Sequence, residues 1–107
     1  MIRSEFGGDE MSLHLHLVGS LNEETAAALC EEYREQRVPV LRECVVDLTA
    51  VDEIDGAGLA GIRELHRATN ARHVDLVVVC AGSPVEYFIR AGLKRLGVRV
   101  RAPVESK

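Results

Sequence analysis

Two apolar runs rich in β-branched residues, CVVDLTAV (44–51) and VDLVVVC (74–80), constrain the fold of this chain more than any other feature. Runs of this length and composition are typical of strands that are buried on both faces of a sheet. Between them lies a helical stripe of apolar residues at positions 59, 62, 65 and 68–69. We therefore predict two parallel strands joined by a helix, with the second run as the central strand of the sheet.

The N-terminal part predicts a hairpin that leads into a first helix. Residues 12–18 alternate, with leucines on one face and polar residues on the other, as in a half-buried strand. Ile2–Phe6 is its expected hairpin partner, with Gly7–Glu10 as the turn. Asn22 is the expected N-cap of a helix that runs to about Arg37. The apolar stripe of this helix consists of Ala26, Leu29, Cys30 and Tyr33.

The C-terminal part predicts a third helix and a last strand. Ser83-Pro84-Val85-Glu86 has the form of a capping box with proline at the first helical position. Gly92 is expected to end this helix in a left-handed cap, and residues 98–101 to form the last strand. The expected inner face of the helix is Val85, Phe88, Ile89 and Leu93.

The resulting element order is β-β-α-β-α-β-α-β. It predicts an α/β fold with a mixed, mostly parallel β-sheet, an N-terminal hairpin and three helices. At 107 residues, the chain is expected to form a single domain over residues 1–107.

Charge and hydropathy narrow the classes of function. The formal net charge of −4 argues against a nucleic-acid partner. The basic cluster Lys94-Arg95 with Arg99 and Arg101 is interpreted as solvated surface. No segment approaches the ~18–20 apolar residues that span a bilayer, and the N-terminus lacks a signal-peptide pattern. We therefore expect a cytoplasmic protein without direct membrane insertion.

Neither the cysteines nor the histidines predict a metal site. The cysteines, at positions 30, 44 and 80, have no metal-binding spacing and lie in apolar runs, so buried reduced thiols are expected. His14 and His16 share a strand face at roughly 7 Å. Two imidazoles without a third ligand are interpreted as solvent-facing strand residues. We predict no metal, no cofactor and no catalytic residues.

Residues 55–61 (DGAGLAG) support two interpretations. The glycines spell G-x-G-x-x-G, the pattern of a dinucleotide-binding loop. Against this, residues 52–55 separate them from the preceding strand, the carboxylates there would repel a polyanion, and the next strand does not end in the acid that holds a ribose. Alternatively, Asp55 caps the next helix by accepting from the amide of Ala57 or Gly58. Gly56 and Gly58 would then keep the first turn bare for the backbone of another protein.

Four motifs, in order, resemble those of the STAS family, the fold of bacterial anti-sigma-factor antagonists and of regulatory domains attached to sulfate transporters. Residues 19–22 (GSLN) resemble the family's G-x-L-D before the first helix, and residues 45–48 (VVDL) its V-V-x-D-L strand. Residues 55–59 (DGAGL) resemble D-S-x-G-L, and residues 91–93 (AGL) resemble S/T-G-L after the third helix. The resemblance covers residues 12–100 and implies a STAS-like fold and an interaction module without enzymatic activity.

The resemblance also implies a docking loop without its switch. In the antagonists, an anti-sigma kinase phosphorylates the serine after the aspartate, and the phosphate disrupts the interface. Here Gly56 stands at the phosphoacceptor position and has no hydroxyl, and Asn22 replaces the family's acidic residue before the first helix. The implied partner-binding residues are Asn22, Asp55, Gly56, Ala57, Gly58 and Leu59.

Three functions follow from these interpretations. The first is a stand-alone regulator resembling an anti-sigma-factor antagonist, which binds an anti-sigma factor or GHKL-type kinase and is not phosphorylatable at this loop. The second is an accessory STAS subunit that docks on the ATPase of an ABC-type lipid transport complex, because D-x-A-G-L-A resembles the variant in those systems. The third is a small nucleotide-binding protein that uses Gly56, Gly58 and Gly61. The outer side of the last strand is expected to be uncovered, which also allows a homodimer.

Overall fold

The chain forms one mixed β-sheet with helices packed against one of its faces, in the element order predicted from the sequence. The computed structural model describes residues 2–7, 11–36, 41–82, 85–94 and 96–102. Within them the strands are β1 (Ile2–Phe6), β2 (Ser12–Leu21), β3 (Glu43–Ile54), β4 (Asp75–Val79) and β5 (Arg99–Arg101). The helices are α1 (Glu23–Glu35), α2 (Gly56–Ala71) and α3 (Val85–Leu93).

The strand order in the sheet follows the sequence, β1-β2-β3-β4-β5. β1 and β2 are antiparallel, as expected of the hairpin, and the other three pairs are parallel. The middle strand is therefore β3, so the prediction that residues 74–80 form the central strand was wrong. An apolar run shows only that side chains on both sides of a strand are buried, and several interior strands of one sheet can share that property.

The helices all lie on one face of the sheet. The three crossovers advance in the same direction across it, and right-handed connections then place every helix on the same side. One core cluster accordingly joins the helices to alternate strand residues such as Leu15, Val46 and Val78. A second cluster, formed by Val45 with Val77 and Val79, lies on the opposite face, which none of the described helices covers. This opposite side is the helix-free face.

Several local predictions are confirmed. The leucines at positions 13, 15 and 17 of β2 are fully buried. The buried residues of α1 are the predicted ones, Ala26, Leu29, Cys30 and Tyr33. All three cysteines are buried and free. Apart from these predictions, no helix in the described residues is both long enough and apolar enough to cross a bilayer.

Helix α3 differs from its prediction. Val85, Ile89 and Leu93 are buried. These residues are four positions apart and form a narrow apolar stripe along the helix. Phe88 lies beside this stripe and is 50% exposed. Gly92 lies inside α3 and is not among the glycines with a left-handed φ, so the prediction of a cap there was wrong. The predicted start signal Ser83-Pro84 lies outside the described residues.

Strand β3 is longer than the predicted run and ends at Ile54. The register between β2 and β3 shifts once between His16 and Val18 and again between Gly19 and Ser20. β2 therefore remains paired with β3 to its end, and Ser20 pairs with Glu53. Only Asp55 then separates β3 from α2. The prediction that residues 52–55 hold the glycines away from the strand was therefore wrong. The polar residues 52 and 53 suggested a loop, although they lie at the exposed end of a strand.

Candidate functional site

The first two helices begin side by side at the end of the sheet where the carboxyl ends of β2 and β3 lie. Asn22 caps α1: its side-chain Oδ1 accepts from the amide of Thr25 at 3.0 Å, and the Thr25 hydroxyl accepts from the Asn22 amide at 2.9 Å. Asp55 caps α2 by accepting from the amide of Gly58 at 2.8 Å, one of the two donors predicted. The Asp55 amide donates to the carbonyl of Leu21 at 3.2 Å, which ties the two caps together.

Gly58 and Gly61 let α2 approach the beginning of α1 closely. A Cβ at Gly58 would lie 2.6 Å from the carbonyl carbon of Leu21 and 2.9 Å from the nitrogen of Asn22. A Cβ at Gly61 would overlap that of Ala26 on α1. Gly58 was expected to leave room for another protein, but the backbone that occupies this room belongs to the same chain.

Gly56 differs from the other two glycines of the motif. It is exposed at the first position of α2, and a Cβ there would meet no described atom within 4 Å. The neighbouring Ala57 is also exposed. Gly56 is thus the glycine of this motif at which the fold itself leaves room for a side chain.

Leu59 connects the start of α2 to α3. Its side chain is partly buried against the core, and a Cβ at Gly92 would lie only 2.8 Å from Leu59 Cγ. Arg63, one turn further along α2, donates from Nη2 to the carbonyl of Gly92 at 3.3 Å. The D-x-x-G-L segment and the later G-L segment therefore touch, and Gly92 is small because Leu59 packs against it.

The surface around the two caps is acidic and open. Asp55 is exposed, and so are the neighbouring acidic residues Glu23, Glu24, Asp52 and Glu53. A polar cavity of about 190 Å³ lies between the ends of β2 and β3, lined by Ser20, Leu21, Asn22, Glu53, Ile54 and Asp55. A phosphate group bound here would face these carboxylates, and the Gly58 amide is already used by Asp55.

Two contributors to this region were not predicted from the sequence. Thr25 completes the capping box of α1, although the pattern usually has Glu or Gln at that position. Phe88 lies one turn before Gly92, so it shares the side of α3 that meets Leu59. Two adjacent aromatic residues, Tyr87 and Phe88, stand in α3, and the sequence alone does not show that both of them are exposed.

The two histidines of β2 lie on the helix-free face, away from the caps. His16 Nδ1 is 3.0 Å from Asp47 Oδ2, and its Nε2 is 3.1 Å from Glu5 Oε1. The His14 ring is stacked against that of His16, with centroids 6.4 Å apart. Both side chains are partly buried, where the sequence predicted solvent exposure. Within the described residues, no group of three or more His, Cys, Asp or Glu side chains is placed to hold a metal ion.

The fold and these contacts can be compared with known proteins. The model of the STAS domain family matches residues 6–105. The chain belongs to the STAS family. No curated protein matches it.

Solved structures extend the comparison of this STAS domain. Mglu is 32% identical over 71% of this chain, with a TM-score of 0.62, and the chain spans 18% of the length of Mglu. The anti-sigma factor antagonist SpoIIAA, in its unphosphorylated form, is 10% identical with a TM-score of 0.67, over 100% of this chain and 90% of SpoIIAA. A putative anti-sigma factor antagonist from Thermotoga maritima is 16% identical with a TM-score of 0.78, over 96% of this chain and 87% of that protein. At these identities, the two antagonists show a shared fold alone.

Proposed function

We propose that this STAS domain is a cytoplasmic protein-docking module that acts as a regulator resembling an anti-sigma-factor antagonist. Its partner is an anti-sigma factor or a GHKL-type kinase. The proposed docking surface consists of Asn22, Asp55, Gly56, Ala57 and Leu59, with the buried Gly58 beneath it. The domain acts by mass action: each partner molecule that it binds is withdrawn from other complexes, in proportion to concentration and affinity.

The observation that carries this proposal is that the two capped helix starts lie side by side on an exposed surface at the carboxyl ends of β2 and β3. Internal contacts already fix this surface, because the Asp55 amide donates to the Leu21 carbonyl and Gly58 packs on the same backbone. A partner therefore meets a preformed surface and does not lose binding free energy to ordering it. Exposed Phe88 offers an apolar contact beside it, and aromatic side chains are frequent anchors of interfaces.

Gly56 supports the second part of the proposal, that the module is permanently competent to bind. Glycine has no hydroxyl that could accept a phosphate. A phosphoserine would add about −1.5 to −2 charges next to Asp55 and near two further exposed carboxylates, Asp52 and Glu53. Such a group would change both the shape and the charge of the docking surface, and this chain carries no residue for it at that position.

Capture of the partner tests the proposal. The immobilised domain is incubated with lysate, and the bound proteins are identified by mass spectrometry and then purified. We expect an anti-sigma factor or a kinase-type ATPase. Specific capture of a transporter ATPase subunit through the same surface would instead support the accessory-subunit alternative.

Substitutions at Gly56 then test the surface with the purified partner. Gly56→Glu should weaken binding at least tenfold, about 1.4 kcal/mol, because it adds bulk and negative charge without disturbing the fold. The matched control is Ala71→Glu, which adds the same charge at the exposed far end of α2, about 22 Å away along the helix. Affinity is measured by titration calorimetry.

A serine at the same position tests the missing switch. Gly56→Ser should bind like the wild type and accept labelled phosphate from a partner kinase, whereas the wild-type loop stays unlabelled. Two results would refute the proposal: equal affinity of Gly56→Glu and wild type, or phosphate on residues 55–58 of the wild type.

A further inference from the structure

The last strand leaves one edge of the sheet open within the described residues. β5 pairs in parallel with β4, and no described strand pairs with its other side. The carbonyl of Arg101 accepts from the Cys80 amide at 3.1 Å, so Arg101 turns its backbone groups toward β4. Because backbone direction alternates along a strand, Val100 turns its N–H and C=O toward the open side. Such groups are a template for one more strand.

The two sides of β5 differ in chemistry. Val98 and Val100 face the helices and are partly buried against the core. They form the floor of a groove beside α3, a cavity of about 930 Å³ whose wall includes Tyr87, Ala91 and Leu93. On the other side of β5, Arg99 and Arg101 are exposed on the helix-free face. An added strand would therefore meet apolar surface on one face and two guanidinium groups on the other.

The groove is separate from the docking surface around the helix starts. It follows the side of α3 that carries Glu86, Arg90 and Lys94, whereas Phe88 and Gly92 lie on the side toward α2. Tyr87 is 70% exposed at its rim. Arg90 is paired with Glu86 at 2.8 Å, which leaves Lys94 as a further cation there.

We propose that the β5 edge binds an extended segment of another protein in which acidic and apolar residues alternate. The segment adds a strand to β5 through the outward N–H and C=O of Val100. Its apolar side chains enter the groove over Val98 and Val100, and its carboxylates pair with Arg99 and Arg101. Main-chain hydrogen bonds supply affinity in this mode, and alternate side chains supply specificity.

The charges of β5 favour such a partner over a second copy of this chain. Antiparallel pairing of two β5 strands about Val100 would place Arg99 of each copy opposite Arg101 of the other. Like charges directly opposite each other in a sheet are destabilising. A segment with carboxylates at these positions replaces two repulsive pairs by two attractive ones.

A synthetic peptide tests this inference. The probe is a fluorescent eight-residue peptide that alternates Glu and Val. The controls are a peptide of the same composition in two blocks and a peptide that alternates Lys and Val. Fluorescence anisotropy should show at least tenfold tighter binding of the alternating acidic peptide than of either control. Failure to bind at up to roughly 1 mM, or equal binding of the block peptide, would overturn the inference.

Two variants locate the binding to β5. The double substitution Arg99→Glu with Arg101→Glu should reverse the preference, so that the Lys-Val peptide binds at least tenfold better than the Glu-Val peptide. Val100→Pro removes an N–H that points away from β4, and proline is tolerated on edge strands. It should abolish peptide binding with an unchanged circular dichroism spectrum. A wild-type dimer in sedimentation equilibrium that Val100→Pro dissociates would show self-pairing and overturn the inference.

Discussion

Four glycines of this STAS domain differ in what surrounds them. Gly56, Gly58 and Gly61 lie in one short motif, and Gly92 lies in the later A-G-L segment. Gly58 and Gly61 are small because the backbone and the Ala26 side chain of the same chain lie against them. Gly92 is small because Leu59 lies against it. At these three positions, packing between elements that are far apart in sequence leaves no room for a side chain. At Gly56, no described atom would be in the way of one.

Alanine substitutions at these glycines should therefore have unequal costs. Gly58→Ala forces a Cβ against backbone and should lower the free energy of unfolding by about 1–3 kcal/mol. Gly56→Ala, the control two residues earlier, has open space and should change it by less than about 1 kcal/mol, in the stabilising direction. Urea unfolding followed by circular dichroism measures both. Equal effects of the two substitutions would contradict the packing role of Gly58.

The residue scale also explains why the dinucleotide pattern was ambiguous in the sequence. A glycine can be required for a tight turn, for a ligand or for a neighbouring helix, and the letters do not distinguish these causes. Asp55 was predictable as a cap because its donor lies three residues away in the chain. The neighbour that Gly58 needs, Leu21, lies 37 residues earlier, so that the sequence contained no local sign of it.

At the scale of elements, β1 is held to β3 across β2 by side chains on the helix-free face. His16 lies between Glu5 of β1 and Asp47 of β3, and it donates to both carboxylates when both of its ring nitrogens carry hydrogen. Thr49 adds hydrogen bonds from its amide and its hydroxyl to the other oxygen of Asp47, at 2.9 and 2.7 Å. Arg3 is the cross-strand neighbour of His16, and His14 stacks on the His16 ring.

This arrangement predicts acid-dependent stability. Burial raises the pKa of Asp47, but hydrogen bonds from Thr49 and His16 together with the His16 charge outweigh burial, so the pKa lies below its ordinary value of 3.8. A carboxyl with a lowered pKa stabilises the fold above the unfolded value, and this contribution is lost as the pH falls through the folded pKa. The stabilisation is thus complete near neutral pH and disappears below about pH 4.

Asp47→Asn tests the contribution. It should lower the free energy of unfolding by about 1 kcal/mol at pH 7, and the difference from the wild type should shrink as the pH falls below about 4. Asp75→Asn, at the exposed first residue of β4, is the matched control, because it makes the same chemical change away from His16 and Thr49. Urea unfolding at several pH values measures the effect, and a constant difference across the range would contradict it.

Elements were predictable where a regular pattern matched a regular burial. The alternation of β2 and the stripe of α1 each depend on one face being covered, and both are seen. The end of β3 and the exposure of Phe88 were not predicted, because both depend on which neighbour lies alongside. The polar end of β3 is a strand only because β2 shifts its register to remain beside it.

At the scale of the whole molecule, the three crossovers advance in the same direction across the sheet and leave its two faces with different chemistry. The helix side carries the core, and the opposite side carries the small valine cluster with charged and histidine side chains around it. The carboxyl ends of β2 and β3 carry the proposed docking surface, and β5 carries the proposed strand-addition edge. The two proposals use separate parts of the molecule, so the failure of one experiment leaves the other unaffected.

The whole-molecule arrangement also predicts the response to nucleotides. The Gly58 amide is used by Asp55, and exposed carboxylates surround the start of α2. NAD or ATP at roughly 1 mM should therefore leave the melting temperature unchanged, because only a ligand that binds the folded state raises it. A thermal-shift assay with a known nucleotide-binding protein as control measures this. A reproducible rise would support the nucleotide-binding alternative.

The open space at Gly56 has a consequence for how such domains evolve. A glycine codon GGC or GGU becomes a serine codon by one transition at its first base. Since a side chain at this position displaces no described atom, the mutation would meet no structural barrier from those atoms. Under the proposed function, a permanently active regulator and one that a kinase can silence would then differ by a single base change, which the described part of the fold accommodates.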